Sequence, residues 1–235
     1  MSERPETGEG RDTPKFQRYF IQHGRYTAGM SVTYAASRLT GEAGWQSLAP
    51  GFSIGTRFHS APVVRLADAK PLELGHVVKA DARWRLFAFC PDEDPSATNS
   101  AVRRLCDFLA ASPASPVLAY TRPGEDIDAV IDLRVIFQQP SRDLSLETLP
   151  AFLFPRKGRY GLVDYEKAFC AVSGQGRDIF DLRGIDRKQG CLVIVRPDQH
   201  VAHVLPFEAH AALAQFFDGF MLAAPADEGR ARRAG

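Results

Sequence analysis

A strand, a helix and a second strand follow one another in the middle of the chain, and this unit constrains the fold most. The strand-like run covers residues 84–90, the helical pattern residues 98–110 and the alternating run residues 129–137. In the second strand, apolar residues alternate with Asp132 and Arg134, which indicates one apolar and one polar face. The order of these elements predicts a βαβ unit with two neighbouring parallel strands.

Two further strands and a helix follow nearer the C-terminus. Residues 191–196 and 201–205 have the pattern of strands on either side of a tight Pro197-Asp198-Gln199 turn, and residues 207–222 have helical spacing. The complete order is βαβ and then ββα, so the sequence predicts an α/β fold with thioredoxin-like connectivity. Two helical faces would cover its sheet: Val102, Leu105, Phe108 and Leu109, and then Leu213, Phe216, Phe217 and Phe220.

The chemistry that usually accompanies this fold is missing. A redox thioredoxin needs a low-pKa Cys-x-x-Cys where its first strand meets its helix, but the residues here are Cys90-Pro91-Asp92-Glu93. The proline that usually precedes the third strand is missing too, because residues 188–191 are Lys-Gln-Gly-Cys. A fold pattern without its active-site residues predicts a structural or docking role.

The remaining segments are less regular. Residues 1–13 contain few apolar side chains and are expected to form a disordered tail, as are residues 224–235 at the other end. Residues 45–78 are rich in Gly and Pro, which indicates an extended connector with short edge strands. Residues 138–190 show little periodicity, which predicts a functional loop or a large surface insertion.

An aromatic stripe lies at the start of the ordered part. Thr13 can cap a helix and Pro14 suits its first turn. Helical spacing then gives the helix one aromatic face, made of Phe16, Tyr19, Phe20, His23 and Tyr26. An isolated helix of this length is marginal in water. The face is therefore expected to pack either on the core of its own domain or on a partner.

Composition excludes several kinds of partner. The 235 residues carry a net charge of +1 and a pI near 7.7, which gives no electrostatic footprint for nucleic acid. No apolar run approaches the roughly 18 residues that a membrane span requires. The four cysteines stand at irregular spacings, and no apolar signal segment precedes them. These features predict a soluble protein of the reducing cytoplasm.

Other residues that could carry chemistry favour ordinary interpretations. His200 and His203 stand three apart on a predicted strand, so their side chains would point to opposite faces rather than share a metal ion. His59 and Ser60 are neighbours on an extended segment and would not face each other as a base and a nucleophile. The acidic residues 92–94 precede a helix, where they can cap its N-terminus. The sequence therefore predicts no catalytic, cofactor-binding or metal-binding residue.

Three motifs carry a resemblance to a known family. FQRYFIQHGRYTAG (residues 16–29), RFHSAPVVRLADA (57–69) and VRPD (195–198) are similar to the C-terminal part of flavin-dependent aromatic hydroxylases of the phenol hydroxylase and 3-hydroxybenzoate 4-monooxygenase types. The similarity extends over residues 9–222. In that family, a thioredoxin-like domain without redox cysteines follows an FAD domain and a substrate domain, and it is associated with dimerisation.

The resemblance implies where the chemistry lies. The family holds FAD with an N-terminal GxGxxG turn, which this chain lacks, since Gly174-Gln175-Gly176 has no third glycine and no flanking strand and helix. The chain is therefore expected to begin inside the loop before the helix and to hold no cofactor itself, while FAD binds to the complete enzyme. The implied partners are the FAD and substrate domain and a second copy of the chain.

The resemblance also implies a division of the chain and a candidate interface. Residues 14–60 would be the helix and connector left from the substrate and FAD domain, and residues 61–223 the thioredoxin-like domain. The candidate interface residues are Phe16, Tyr19, Phe20, His23, Tyr26, Arg196 and Asp198. The alternative function is a free-standing thioredoxin-like protein, either a redox protein that uses Cys90 alone or a binding module.

Overall fold

One seven-stranded mixed sheet with helices forms most of the protein in the computed structural model, which describes residues 13–27, 29–172 and 176–223. The helices are α1 (Thr13–Thr27), α2 (Ala101–Ala111), α3 (Pro116–Tyr120), α4 (Ile179–Arg183) and α5 (His210–Asp218). The strands are β1 (Pro62–Arg65), β2 (Pro71–Glu73), β3 (Trp84–Phe89), β4 (Ile131–Phe137), β5 (Arg156–Lys157), β6 (Leu162–Val163), β7 (Ala168–Ala171), β8 (Cys191–Val195) and β9 (Val201–Leu205). The predicted tails lie outside the described residues, except for Thr13, which is the first residue of α1.

The strand order confirms the predicted connectivity. The sheet runs β2-β1-β7-β4-β3-β8-β9, and β5 and β6 form a separate hairpin. Strand β3 lies parallel to β4 on one side and antiparallel to β8 on the other, and β9 follows antiparallel to β8. The βαβ and ββα units therefore share one sheet in a thioredoxin-like arrangement.

Helices α2 and α5 cover one face of the sheet, as their spacing predicts. Leu105 and Leu109 of α2 are buried, and so are Leu213 and Phe217 of α5. Trp84 of β3 lies edge-on to Phe217, with their ring centroids 5.5 Å apart. No helix among the described residues has the length and apolar character needed to cross a membrane.

The opposite face is covered by the connector and α4. Phe52 and Phe58 stack with their ring centroids 4.9 Å apart, and Phe58 stacks in turn on Phe87 of β3. Phe180 of α4 completes this second core with an edge-on contact to Phe89. The packing thus continues across the domain boundary predicted at residue 61, because connector residues bury their rings on the sheet.

Residues 138–190 supply an interior strand of the sheet, which the prediction of a functional loop or a large surface insertion did not include. Strand β7 is buried at all four positions and lies between β4, to which it is parallel, and β1, to which it is antiparallel. It reads Ala-Phe-Cys-Ala, a run too short to show a period of its own. Its pairing with β4 on one side and β1 on the other makes it part of the sheet.

The polar side chains of β4 are buried as well. Every residue of β4 is buried, including Asp132 and Arg134, so the alternation marks two buried faces rather than one exposed face. The polar face belongs to a buried ion network that consists of Asp81, Arg83, Arg85, Asp128, Asp132, Arg134, Lys157, Asp164 and Lys167.

Asp132 is the centre of the ion network. Its Oδ2 lies 3.1 Å from Arg85 Nε and 3.0 Å from Arg134 Nη2, and its Oδ1 lies 2.5 Å from Lys167 Nζ. The side chains of Asp132 and Arg85 are completely buried, and that of Lys167 is 2% exposed. Lys167 also contacts Asp128, which binds Lys157 Nζ at 2.8 Å. Each buried charge therefore has an opposite charge beside it, as burial requires.

We expect the ion network to make stability depend on acidic pH. Burial alone would raise the pKa of Asp128, but the charges and hydrogen bonds of Lys167 and Lys157 outweigh it and lower that pKa to about 2. A carboxyl whose pKa is depressed on folding contributes stability that is present above its unfolded pKa of about 4 and is lost as the pH falls towards 2. Asp128→Asn should flatten this part of the stability curve, measured by urea unfolding from pH 5 to pH 2. The exposed Asp143→Asn is the control, and an unchanged slope in Asp128→Asn would contradict the assignment.

Candidate assembly surface

The aromatic face of α1 points away from the sheet. Tyr19, Phe20 and Tyr26 are 62%, 69% and 71% exposed, and His23 is exposed with its ring 4.0 Å from that of Tyr19. The sequence left open whether these side chains pack on the core of their own domain or on a partner. In the structure they lie at the surface and not in the core. The side chain of Phe16 lies outside the described residues. Ile21, which the sequence reasoning did not select, is also exposed and enlarges the apolar surface.

The second predicted element, the hairpin between β8 and β9, is a tight turn as expected. Arg196 Nη2 lies 2.7 Å from Asp198 Oδ2, and the Gln199 backbone N–H donates to Arg196 O at 2.9 Å. The Arg196 guanidinium also stacks 4.6 Å from the centroid of the Tyr34 ring. Arg196 is therefore committed to contacts within the chain, whereas the side chain of Asp198 remains 40% exposed.

Connector residues join the end of α1 to this hairpin. Gly29, two residues beyond α1, lies beside the Arg57 guanidinium, and Arg57 Nη2 donates to Gln199 Oε1 at 2.6 Å. Arg57 also forms an antiparallel bridge with His200, whose ring lies 4.8 Å from that of Tyr34. Sequence reasoning did not select Tyr34, Arg57 or Gln199 as interface residues, and Arg57 connects the segment just beyond α1 with the hairpin.

The position of a thioredoxin active site is filled by structural contacts. The loop after β3 is fastened by Gln138, whose Nε2 donates to the carbonyl oxygens of Cys90 and Arg187 at 2.9 and 2.7 Å. Gly190 precedes β8 with φ 62°, and a side chain there would collide with the Phe89 carbonyl. The backbone N–H of Ala101, the first residue of α2, donates a hydrogen bond to the Glu93 carboxylate. This contact confirms that an acidic residue of the 92–94 cluster caps the helix.

The cysteines lack the environment of reactive thiols. All four are free and buried. Burial raises the pKa of the Cys90 thiol well above its usual range, and nearby Cys106 and Glu93 raise it further. Burial raises the pKa of Cys170 to about 12. A catalytic thiol needs a lowered pKa and access to its substrate, and Cys90 has neither.

Native thiol chemistry should therefore be very slow. We expect Ellman's reagent at pH 8 to react with fewer than one thiol per folded chain during a period in which it reacts with all four in guanidinium chloride. Cys90→Ser should leave the rate of the native reaction unchanged. Rapid reaction of one native thiol, lost in Cys90→Ser and with an apparent pKa below about 7, would favour the redox alternative.

The other candidates from the sequence have separate structural roles. His203 packs against Phe216, with ring centroids 5.3 Å apart, whereas His200 contacts Tyr34, so the two histidines face different surroundings. Ser60 Oγ donates to Glu73 Oε2 at 2.8 Å and accepts from the Gly75 N–H. Within the described residues, no group of three His, Cys, Asp or Glu side chains could hold a metal ion.

The crossover from β3 through α2 to β4 does not fit the pyrophosphate of FAD. A dinucleotide site of this kind needs a glycine-rich turn whose free N–H groups face the phosphates. Here the turn carries Asp92, Glu93 and Asp94, and a carboxylate already occupies the N-terminus of α2. The Gly174-Gln175-Gly176 segment lies mostly outside the described residues.

Comparison with known proteins identifies the family. Residues 32–225 match the family described as phenol hydroxylase, C-terminal dimerisation domain. The chain is 56% identical over 220 residues to 3-hydroxybenzoate 4-monooxygenase of Comamonas testosteroni, and it is 31% identical over 212 residues to the FAD-dependent monooxygenase terD of Aspergillus terreus. These matches cover 93% and 88% of the chain.

The matches cover a smaller share of the relatives themselves. The chain spans 34% of the length of each of these two monooxygenases. Among solved structures, a thiol peroxidase from Chromobacterium violaceum aligns with 15% identity and a TM-score of 0.41, over 70% of this chain and 86% of that one. The match over residues 32–225 covers most of the sequence. The chain therefore belongs to the phenol hydroxylase C-terminal dimerisation domain family.

Proposed function

We propose that this chain is the dimerisation and packing module of a flavin-dependent aromatic-ring monooxygenase. The observation that carries the proposal is the match of residues 32–225 to the dimerisation domain family, together with relatives that are monooxygenases. In the complete enzyme, a separate FAD and substrate segment performs the hydroxylation of a phenolic or hydroxybenzoate substrate. This chain supplies subunit contacts and no catalytic residue.

The aromatic face of α1 is the proposed contact with the FAD and substrate segment. A helix of this length gains most of its stability by packing one face against other parts of a protein. The aromatic face of α1 is exposed in this chain, at Tyr19, Phe20 and Tyr26, so it is available to pack on a partner. Aromatic side chains are also the residues that most often dominate interface energies. In this proposal, residues 14–60 link the two parts, with the connector fastened to the sheet and the helix to the partner. The hairpin contributes Asp198, whose side chain is 40% exposed, as a second proposed contact.

A second copy of the chain is the other proposed partner, in a homodimer. The buried free cysteines favour a reducing compartment, and we place the enzyme in the cytoplasm. The near-neutral charge supports neither nucleic acid nor an anionic membrane surface as a partner. FAD belongs to the complete enzyme and not to this module.

Reconstitution with a flavin-binding segment tests the proposed function. The chain purified alone is expected to be colourless after gel filtration with excess FAD. Co-expression with the FAD and substrate segment of a 3-hydroxybenzoate 4-monooxygenase should give a yellow complex that consumes NAD(P)H and oxygen with a phenolic acid. The readouts are flavin per complex, oxygen uptake per flavin and sedimentation. Retention of FAD by the chain alone, or failure of the two parts to associate, would contradict the proposal.

A further inference from the structure

A groove at the edge of the sheet has a mostly cationic lining. It has a volume of about 550 Å³ and lies between the edge strand β2 and the residues that precede β3 and β7, with Arg134 of β4 in its wall. Six basic side chains line it: Arg65, Lys70, Lys79, Arg83, Arg134 and Lys157. The described residues that line the groove include two carboxylates, Glu73 and Glu166, and one histidine, His76. We call this cavity the basic groove.

For two of these cations, the balancing carboxylates do not line the groove. Asp132 holds Arg134 from the core side, Asp128 holds Lys157, and neither aspartate lines the groove. The Arg134 side chain is only 9% exposed, so its position is fixed by packing. Cations whose counter-charges stand outside the lining present positive potential to the cavity, and low-dielectric walls strengthen that potential.

The two carboxylates in the lining are already engaged. Glu73 Oε2 accepts from Ser60 Oγ at 2.8 Å, and Glu166 Oε1 lies 2.5 Å from Arg65 Nη1. By contrast, no carboxylate of the described chain lies within 4.0 Å of the ammonium groups of Lys70 or Lys79. The basic groove therefore has a fixed inner wall of arginines and two lysines at its rim that are available for an anion.

We propose that the basic groove binds a small anion that carries two or more phosphoryl or carboxylate charges. Guanidinium groups suit both anions because they present paired N–H donors in one plane. The concave shape favours a small molecule over an extended acidic surface. The groove lies at the amino ends of the parallel strands, away from the position of a thioredoxin active site at the carboxyl end of β3. The proposal is independent of the monooxygenase assignment.

Calorimetric titration of the full chain at constant ionic strength tests this site. Pyrophosphate and citrate are the two probes, and they distinguish a phosphoryl from a polycarboxylate ligand, with sodium chloride as the reference anion. At least one probe should bind with one site per chain and raise the melting temperature, as mass action requires. Lys70→Gln/Lys79→Gln should weaken binding about tenfold, because it removes two attractive charges beside the ligand.

The control variant removes the same number of charges elsewhere. Arg38→Gln/Lys188→Gln changes two exposed basic residues that do not line the groove, and its affinity should stay within about twofold of the unmodified chain. Lys70 and Lys79 are exposed and make no ion pair, so their replacement should leave the unfolding transition intact. Equal loss of affinity in both double variants, or no saturable binding of either probe, would overturn the proposal.

Discussion

Replacement of Asp132 by alanine is expected to destabilise the fold by about 3–5 kcal/mol, the usual cost of removing one partner from a buried ion pair. Three cations, Arg85, Arg134 and Lys167, point at this carboxylate, and two of them are almost completely excluded from water. Without Asp132, the Arg85 guanidinium keeps its contact with Asp81, at the partly exposed end of the ion network, and a hydrogen bond to the Arg83 carbonyl oxygen. A loss of this size is a large fraction of the 5–15 kcal/mol that typically stabilises a domain.

Urea unfolding with two companion variants separates the charge effect from packing. Asp132→Asn keeps the shape of the side chain and removes its charge. It should therefore lower the free energy of unfolding by most of the amount expected for Asp132→Ala. Asp68→Ala removes the partner of Arg65 from an exposed pair and should leave the urea midpoint close to that of the unmodified chain, since exposed pairs contribute little. If Asp132→Asn is as stable as the unmodified chain, the carboxylate charge does not hold this face of the sheet together.

The sequence was sufficient for the elements that have a clear period. Strand β9 occupies the predicted residues, and β3, β4 and β8 each lie within one or two residues of the predicted bounds. The helical faces built on Leu105 and Leu213 were predicted for the same reason, because their apolar residues recur every three or four positions. The elements that make up the βαβ and ββα units could therefore be predicted from the sequence alone.

Strand β7 and the ion network could not be read in this way. A four-residue strand has no measurable period, and its place between β4 and β1 depends on contacts with distant parts of the chain. The aspartate and arginine of β4 look like an exposed polar face until Lys167 is placed beside them. Alternation shows that the two sides of a strand differ, but it does not show whether the polar side meets water or buried counter-charges.

The candidate interface shows a similar limit. Helical spacing predicted the aromatic face of α1, but spacing cannot tell whether a face packs on its own sheet or on a partner. The structure exposes Tyr19, Phe20 and Tyr26. The role of Arg196 depended on Tyr34, which stacks on its guanidinium, and no motif links these two residues.

The aromatic face of α1 should control association with the FAD and substrate segment. Phe20→Ser/Tyr26→Ser removes two exposed rings, and loss of even one interface hot spot costs about 2 kcal/mol, or about thirtyfold in Kd. Sedimentation of the two-part complex should show this weakening. The unfolding transition of the chain alone should not move, because both side chains are exposed.

A matched variant separates this surface from general loss of apolar area. Tyr160 is 75% exposed and lies at the β5–β6 hairpin, outside the candidate interface. Tyr160→Ser should therefore leave the Kd of the complex unchanged. Oxygen uptake per bound flavin should also be the same in the double variant once the complex is saturated, because the proposed role of α1 is packing. Unchanged affinity in Phe20→Ser/Tyr26→Ser would assign α1 another partner, whereas lost turnover at full assembly would place part of this chain in the active site.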